Sequence, residues 1–421
     1  MLTVIHTSDW HLGHTLHDHP RVEEHAAFLA WLVDQAVTEK ADALLVAGDL
    51  FDSANPPAQA QEQLYRFLVT LRGRMPNIDV VLVGGNHDSA QRLDAPAAVL
   101  RVLGPHMVGG LPRLATDRSM NVDRVLVPLT GKDGAVAAWV AAVPFLRPAD
   151  LPPERDAEDA LIQGVSAIYQ EVLDAARAKR DAASAEGEPD QALLAMGHCY
   201  MVGGKLSELS ERKILGGNQH ALPVSVFPED VAYVALGHLH LAQTVGGRES
   251  VRYSGAPIAL SMPERTYPHQ VAVVTLDGAK LVKVRALKVP TTTHLLRLPA
   301  EGSLTLVELE SEIRKLPPLE TDTAHWQRPF LEVCVRLDAP EPGLQKRVQD
   351  ALEGRSPRLV KLTRDRTGTG AALGDGLVEA LSDTSPEKVF IERWKQEYKD
   401  QPDQASLDCF NELLVGLEVN A

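Results

Sequence analysis

The chain has 421 residues, 44% hydrophobic and 24% charged, with a net charge of -15. That length exceeds one ordinary core, so two or three domains are expected, and no apolar run approaches the roughly 20 residues of a membrane span. The carboxylate surplus excludes a protein that grips nucleic acid by bulk charge alone; phosphate could be handled here only if bound cations or a partner chain supply positive field. The chain opens directly with a strand rather than an export signal, and Cys199, Cys334 and Cys409 show no paired spacing. A reducing, cytoplasmic setting is therefore expected, and a zinc knuckle is not.

Five short apolar runs, residues 2–5, 43–46, 80–83, 193–196 and 231–236, read as buried strands. Helices are expected over 23–39, 58–71 and 95–103; in the first, Phe28, Leu29, Leu32, Val33 and Ala36 recur at three- and four-residue steps. Further β runs follow at 125–129, 136–143, 271–276 and 281–287. Between them lies one long helix with Leu161, Val165, Ile168 and Val172 on a stripe, and then a solvated loop over 181–190. Up to about residue 287 this pattern predicts one α/β domain with two sheets face to face and helices outside, an α/β/β/α sandwich.

Beyond Pro290 the rhythm changes to strand 294–298, helix 304–316, strand 330–337, helix 343–352 and strand 358–364, a small α+β unit assigned to 288–376. The Gly/Thr-rich run 367–376 reads as a linker. Two amphipathic helices follow, 385–399 with Phe390, Ile391, Trp394 and Tyr398, and 406–419 with Leu407, Phe410, Leu414 and Leu417. Such short helices in a tail of 377–421 must fold back or dock on a partner to bury those faces.

The chemistry sits where the five strands end. They lead into Asp9-Trp10-His11, Gly48-Asp49-Leu50-Phe51-Asp52, Gly85-Asn86-His87-Asp88, Gly197-His198 and Gly237-His238-Leu239-His240. In extended chain, residues two apart share a face, which would aim Asp9 with His11 and His238 with His240. Asp9, His11, Asp49, Asn86, His198, His238 and His240 make seven nitrogen and oxygen donors, enough for two ions if the Asp49 carboxylate bridges them. Vacant coordination positions would suit a catalytic rather than a structural site, and thiolate-free donors suit manganese, iron or zinc. A lone Asp-X-His more often decorates a surface turn, but five such motifs in one chain favour a metal centre. Of the histidines outside the motifs, only His14 and His17 lie close enough to the first to matter; Asp52 could accept a hydrogen bond near the ions or simply cap its loop.

With its ligands in this order the chain resembles the calcineurin-like metallophosphoesterases, and within them the nuclease subunits of bacterial DNA-end nucleases. The likeness spans nearly the whole chain, and its narrowest segments are Ser8-Asp9-Trp10-His11-Leu12-Gly13 and Tyr253-Ser254-Gly255-Ala256-Pro257. The resemblance implies one ion on Asp9, His11, Asp49 and His240, another on Asp49, Asn86, His198 and His238, and a preference for manganese. It makes His87 the catalytic histidine, with Asp88 suited to orient or charge-stabilise its ring. Phosphatases of this superfamily carry arginine where this chain has Ser53, and archaeal and eukaryotic break-repair nucleases often carry histidine where Asp52 stands, so the bacterial nuclease pattern fits best.

By the same resemblance, residues 288–376 form a capping domain that helps contact DNA. Residues 346–366 hold Lys346, Arg347, Arg355, Arg358, Lys361, Arg364 and Arg366 against Asp350, Glu353 and Asp365, a basic stretch that would face phosphates or merely solvent. The tail helices would bind the coiled-coil base of an ATPase partner, and two copies of the chain would pair as a homodimer within a heterotetramer. No Gly-X4-Gly-Lys-Ser/Thr loop occurs here, so any ATP would be used by another chain. The expected activity is exonuclease on double-stranded ends, with endonuclease at hairpins or blocked ends when the ATPase is present. A small-molecule phosphodiesterase and a non-catalytic DNA-end scaffold are the alternatives.

Overall fold

The structure, a computed structural model, describes residues 1–152, 160–204, 221–339 and 341–365, with separate positions between 390 and 410. The described residues up to Asp365 make up one compact unit, and those from Phe390 onward belong to a second.

Two six-stranded sheets form the body of the first unit. One runs in the order Lys280–Lys288, Gln270–Asp277, Leu2–Thr7, Ala43–Ala47, Asp79–Val83, His106–Val108; the other runs Gln243–Val245, Arg248–Tyr253, Tyr233–Gly237, Ala192–His198, Val136–Ala142, Leu126–Thr130. In both, the central strands pair in parallel and an antiparallel hairpin closes an edge.

Alternation along the strands sorts their side chains into layers. Val4, Leu45, Val81 and Val83 face the second sheet and pack with Val140, Leu194, Met196 and Tyr233. Their neighbours Ile5, Leu44, Val46 and Leu82 face the other way, onto Phe28, Leu32, Leu64 and Leu68 of the helices Val22–Thr38 and Ala58–Arg74. Helix Ala160–Ala185 places Val165, Ile168, Tyr169 and Val172 in the core shared with the second sheet. The α/β/β/α arrangement expected from the strand pattern is the one observed.

Three elements differ from expectation, each for a local reason. The long helix continues to Ala185 instead of stopping near 181, because Asp181-Ala182-Ala183-Ser184-Ala185 is rich in the strongest helix former. The helix expected over 95–103 starts only at Ala97, after Pro96, and a separate short helix, Ala90–Asp94, precedes it. The helix expected from 304 begins only at Leu306, after strand Leu304–Thr305, since Thr305 and Glu308 form a reciprocal capping box.

A third sheet pairs Phe330–Arg336 in parallel with Leu295–Leu298, Leu304–Thr305 and Arg358–Asp365. Helices Leu306–Arg314 and Leu344–Leu352 cover it with Leu309, Ile313, Val348 and Leu352, a core of its own. Most of the basic residues near its end are taken up internally. Lys346 pairs with Asp350, Arg347 with Glu310 and Glu341, and Lys361 with Glu332; Arg355 and Arg358 donate to backbone carbonyls. Arg364 is exposed, and Arg366 lies outside the described residues.

In the second unit, residues 390, 391, 393–395 and 398 are helical. Phe390 stacks on Phe410 at 4.2 Å and Trp394 lies 4.6 Å from Tyr398. The expected linker over 367–376, Leu414 and Leu417 lie outside the described residues. No helix among the described residues is long and apolar enough to cross a membrane.

His6 crosses the space between the two main sheets: Nδ1 lies 2.8 Å from the Tyr233 hydroxyl and Nε2 3.2 Å from the Leu236 carbonyl. Burial pushes its pKa down to about 3, so the folded ring stays neutral where an unfolded one would take a proton. The unfolded chain therefore binds more protons between about pH 6.5 and 3, and stability should fall as the pH is lowered through that window. In urea unfolding from pH 7 to 4.5, His6→Gln should remove up to about 1.4 kcal/mol per pH unit of this slope; an unchanged slope would rule out His6 as a contributor.

Candidate metal centre

The ends of strands from both sheets meet at one rim, and the motifs fill it. Asp9 and His11 follow Leu2–Thr7, Asp49 follows Ala43–Ala47, and Asn86 and His87 follow Asp79–Val83. From the second sheet, His198 ends Ala192–His198, and His238 and His240 follow Tyr233–Gly237. The backbone locks these loops side by side. Asp9 N donates to Gly48 O at 3.0 Å, His11 N to Asp49 O at 3.0 Å, and Leu12 N to Leu50 O at 2.9 Å.

Asp9 and His11 do not converge by strand alternation, as their spacing implies. Their φ angles are +54° and +48°, and Asp49 and His238 are also left-handed, at +48° and +103°. Each such position costs on the order of 1–3 kcal/mol in a non-glycine residue. Four of them among seven candidate ligands mark a rim whose shape is held by function-related packing rather than by local preference.

The seven donors form one connected cluster. His11 Nε2 lies 3.5 Å and His198 Nε2 3.3 Å from Asp49 Oδ2. Asn86 Oδ1 is 2.9 Å from His198 Nε2 and 3.0 Å from His238 Nδ1. Asp9, His11 and His240 gather ligand atoms within 4.8 Å of one another, as do Asp9, Asp49 and His198. Asp9, His11, Asp49, His198, His238 and His240 are all buried. His14 and His17 enter none of these groups among the described residues; His17 instead occupies the exposed turn of the hairpin Thr15–Pro20, with φ +47°.

Two observations show that this set suits a cation. His11 Nε2 is buried with no hydrogen-bond partner, a costly state for a ring nitrogen unless it ligates something. The cluster also recruits positive charge. Burial opposes protonation of His198, yet the Asp49 carboxylate beside it outweighs burial and lifts the pKa to about 9. Asp49 is held well below the usual carboxylate range: burial works against its charge, but His198, His11 and His87 prevail. His238, by contrast, is driven down to about 3 by burial and then by His198, which keeps its ring neutral, the form in which histidine ligates metals.

A second set of contacts aims the imidazoles. His11 Nδ1 lies 3.2 Å from Asp52 Oδ1, His198 Nδ1 2.9 Å from the Ala47 carbonyl, and His240 Nδ1 3.1 Å from Glu264 Oε1. Asp52 thus faces a candidate ligand, the first of the two roles open to it from sequence. Burial works against its charge, but His11, with His14 and His87, overcomes that and holds its pKa at about 2. Asp88 does something other than orient His87. Its carboxylate accepts the backbone N–H groups of Leu50, Phe51 and Gly85, pinning the Asp49 loop to the Asn86 loop, while His87 Nδ1 meets the Asp52 carbonyl at 2.8 Å. Burial, then the neighbouring Asp49, raise Asp88 to about 6. Glu264 has no sequence signal: it lies 24 residues beyond His240, outside every motif.

Residues 2–242 match the calcineurin-like phosphoesterase family, and residues 292–398 match the Type 5 capsule protein repressor C-terminal domain. The chain is 42% identical over 391 residues to the SbcD chain of the SbcCD nuclease of Rhodobacter capsulatus, covering 92% of this chain and 93% of that protein. The chain belongs to the SbcD family of calcineurin-like phosphoesterases. Two further members of the SbcD family are the Escherichia coli K12 protein, 31% identical over 96% of each chain, and the Bacillus subtilis protein, 33% identical over 65% of this chain and 66% of its own. Members of this superfamily are metal-dependent, in keeping with the donor cluster.

Gly237 marks how tightly the sheets approach at the rim. A Cβ there would collide with the Ala47 carbonyl oxygen and come within 2.9 Å of His198 Nδ1. Gly237→Ala should therefore displace His198 and weaken Mn2+ binding, read by calorimetric titration, by roughly 10-fold or more, the scale for lost ligand support. Binding equal to the parent's would show that the rim tolerates the shift.

Proposed function

We propose that this chain is the nuclease component of a two-protein enzyme that processes DNA, hydrolysing phosphodiester bonds with two divalent ions, Mn2+ foremost. The observation that carries the reading is the shared carboxylate: Asp49 Oδ2 faces His11 on one side and His198 on the other. One ion would take Asp9, His11, Asp49 and His240, the second Asp49, Asn86, His198 and His238. The likeness over nearly the full length to proteins named as the SbcD part of the SbcCD nuclease supports DNA as the substrate.

When bound, the ions supply Lewis-acid polarisation of the phosphodiester and activation of a water nucleophile. The chain's own residues do the rest. The buried rim holds the ligands in a fixed arrangement before substrate arrives, so little reorganisation accompanies charge development. His87 keeps Nδ1 on the Asp52 carbonyl, which holds the ring so that Nε2 can steady the phosphate or pass a proton to the departing sugar oxygen.

Alone, the chain would degrade double-stranded ends. With an SbcC-type coiled-coil ATPase docked on the helices of the 377–421 tail, it would also open hairpins and blocked ends in DNA repair or recombination. Residues 288–376 would serve as the capping domain of a homodimer inside a heterotetramer, acting on cytoplasmic DNA. The ATPase would then provide most of the positive surface, since an acidic chain whose cap pairs its cations internally is poorly furnished for phosphates.

The decisive experiment incubates blunt and hairpin DNA with Mn2+ and the purified chain, with and without the ATPase. His87→Ala should lower cleavage by roughly 10²–10⁴-fold while binding the same number of ions. Turnover of a chromogenic phosphodiester without DNA cleavage would favour a small-molecule substrate, and parent-like cleavage by His87→Ala would exclude the proposed proton role.

A further inference from the structure

The second nitrogen of His240 faces a side chain remote from all five motifs. Glu264 is fully buried, and among the described residues its carboxylate meets His240 Nδ1 at 3.1 Å and Ser261 Oγ at 3.0 Å on Oε1, and the Leu260 N–H at 2.8 Å on Oε2. A buried carboxylate is expensive unless its oxygens are met in this way. Accepting the hydrogen bond of Nδ1–H fixes the ring's tautomer and turns the Nε2 lone pair outward, the usual office of a carboxylate behind a metal-binding histidine.

The turn that carries Glu264 is itself seated on the third sheet. It spans Met262–Thr266, and Met262, 2% exposed, packs with Leu16 and Phe330, backed by Leu295 and Val360. Phe330 opens the central strand of that sheet. Arg21 reinforces the junction: it pairs with Glu24, lies over the Phe330 ring at 5.4 Å, and donates to the Ala259 carbonyl at 2.8 Å, just ahead of the turn. Arg358 covers the same ring at 4.2 Å. A continuous run of packed and hydrogen-bonded groups therefore leads from the third sheet to His240.

Resting on the two-ion reading above, we propose that Glu264 is a positioning residue for His240, and that the seating of Met262 against Phe330 sets how tightly the Asp9/His11/His240 half of the centre holds its ion. The cap would thus adjust one ion and leave the other alone, because the Asn86/His198/His238 half is braced from the Ala47 carbonyl instead.

The test is calorimetric titration of the metal-free full-length chain with Mn2+, beside its thermal unfolding. Glu264→Gln, which keeps the shape and removes the charge, should weaken one of two binding events by roughly 10- to 100-fold and leave the other within experimental error. Met262→Ala should weaken the same event by a smaller factor; if it does not fold, Phe330→Leu loosens the same contact from the opposite side. Unchanged affinities in Glu264→Gln, or equal weakening of both events together with a lowered Tm, would overturn the positioning role. Parent-like binding in the Met262 or Phe330 variant would overturn the link to the cap. Asp49→Asn separates this from the reading it rests on: if that variant still binds two ions as tightly as the parent, the two-ion site itself is wrong.

Discussion

Two carboxylates, Asp9 and Asp49, are buried where strands from both sheets end, and the rest of the structure is arranged around that cost. Buried negative charge is tolerable only when it is met by hydrogen bonds and opposite charge. Backbone N–H groups meet part of it: His238 N reaches Asp9 Oδ1 and His87 N reaches Asp49 Oδ1, each at 2.9 Å. Imidazoles meet more: Asp49 pulls His198 toward its charged form, a pull that a bound cation would replace when the neutral ring ligates it. Divalent cations are the partners that would satisfy what remains, and the fold's strained backbone, close sheet approach and unpartnered His11 nitrogen all make sense as consequences.

The same constraint explains why the rim is rigid. The loop after one strand accepts the N–H groups of the loop beside it, and Asp88 clasps both the Asp49 and Asn86 segments. Moving any one ligand means breaking contacts to two others. A centre of this kind is organised before its substrate arrives, which is where a hydrolase gains most from electrostatics. The third sheet touches this rim through the Glu264 turn and the Thr15–Pro20 hairpin, so a change in its seat has a direct route to His240 and His11.

Much of this was legible in the residues. Continuous apolar runs rich in Val, Leu and Ile marked the strands, helical spacing in 23–39 and 58–71 marked the helices, and polar clusters at strand ends marked the rim. The misses were local or long-range. Pro96 delayed the start of one helix, an alanine-rich stretch prolonged another, and the short strands Gln243–Val245 and Arg248–Tyr253 lack the apolar alternation that would announce them. Glu264 was invisible because its partner is brought to it by the path of the chain through another sheet, and Asp88 was misread because adjacency to His87 says nothing of where its oxygens point.

By itself, the amino-acid order determined the layered α/β class and singled out the candidate metal donors, because these depend on residue chemistry and on apolar runs and helical spacing that are written locally. Only the tertiary structure decided how the donors meet: Asp9 and His11 through left-handed turns, Asp49 between rings from both sheets, His240 against Glu264, and the cap's cations against its own carboxylates. Those outcomes depend on which distant segments share a boundary, and contacts such as that between Asp9 and His238, 229 positions apart, are set by packing of the whole chain.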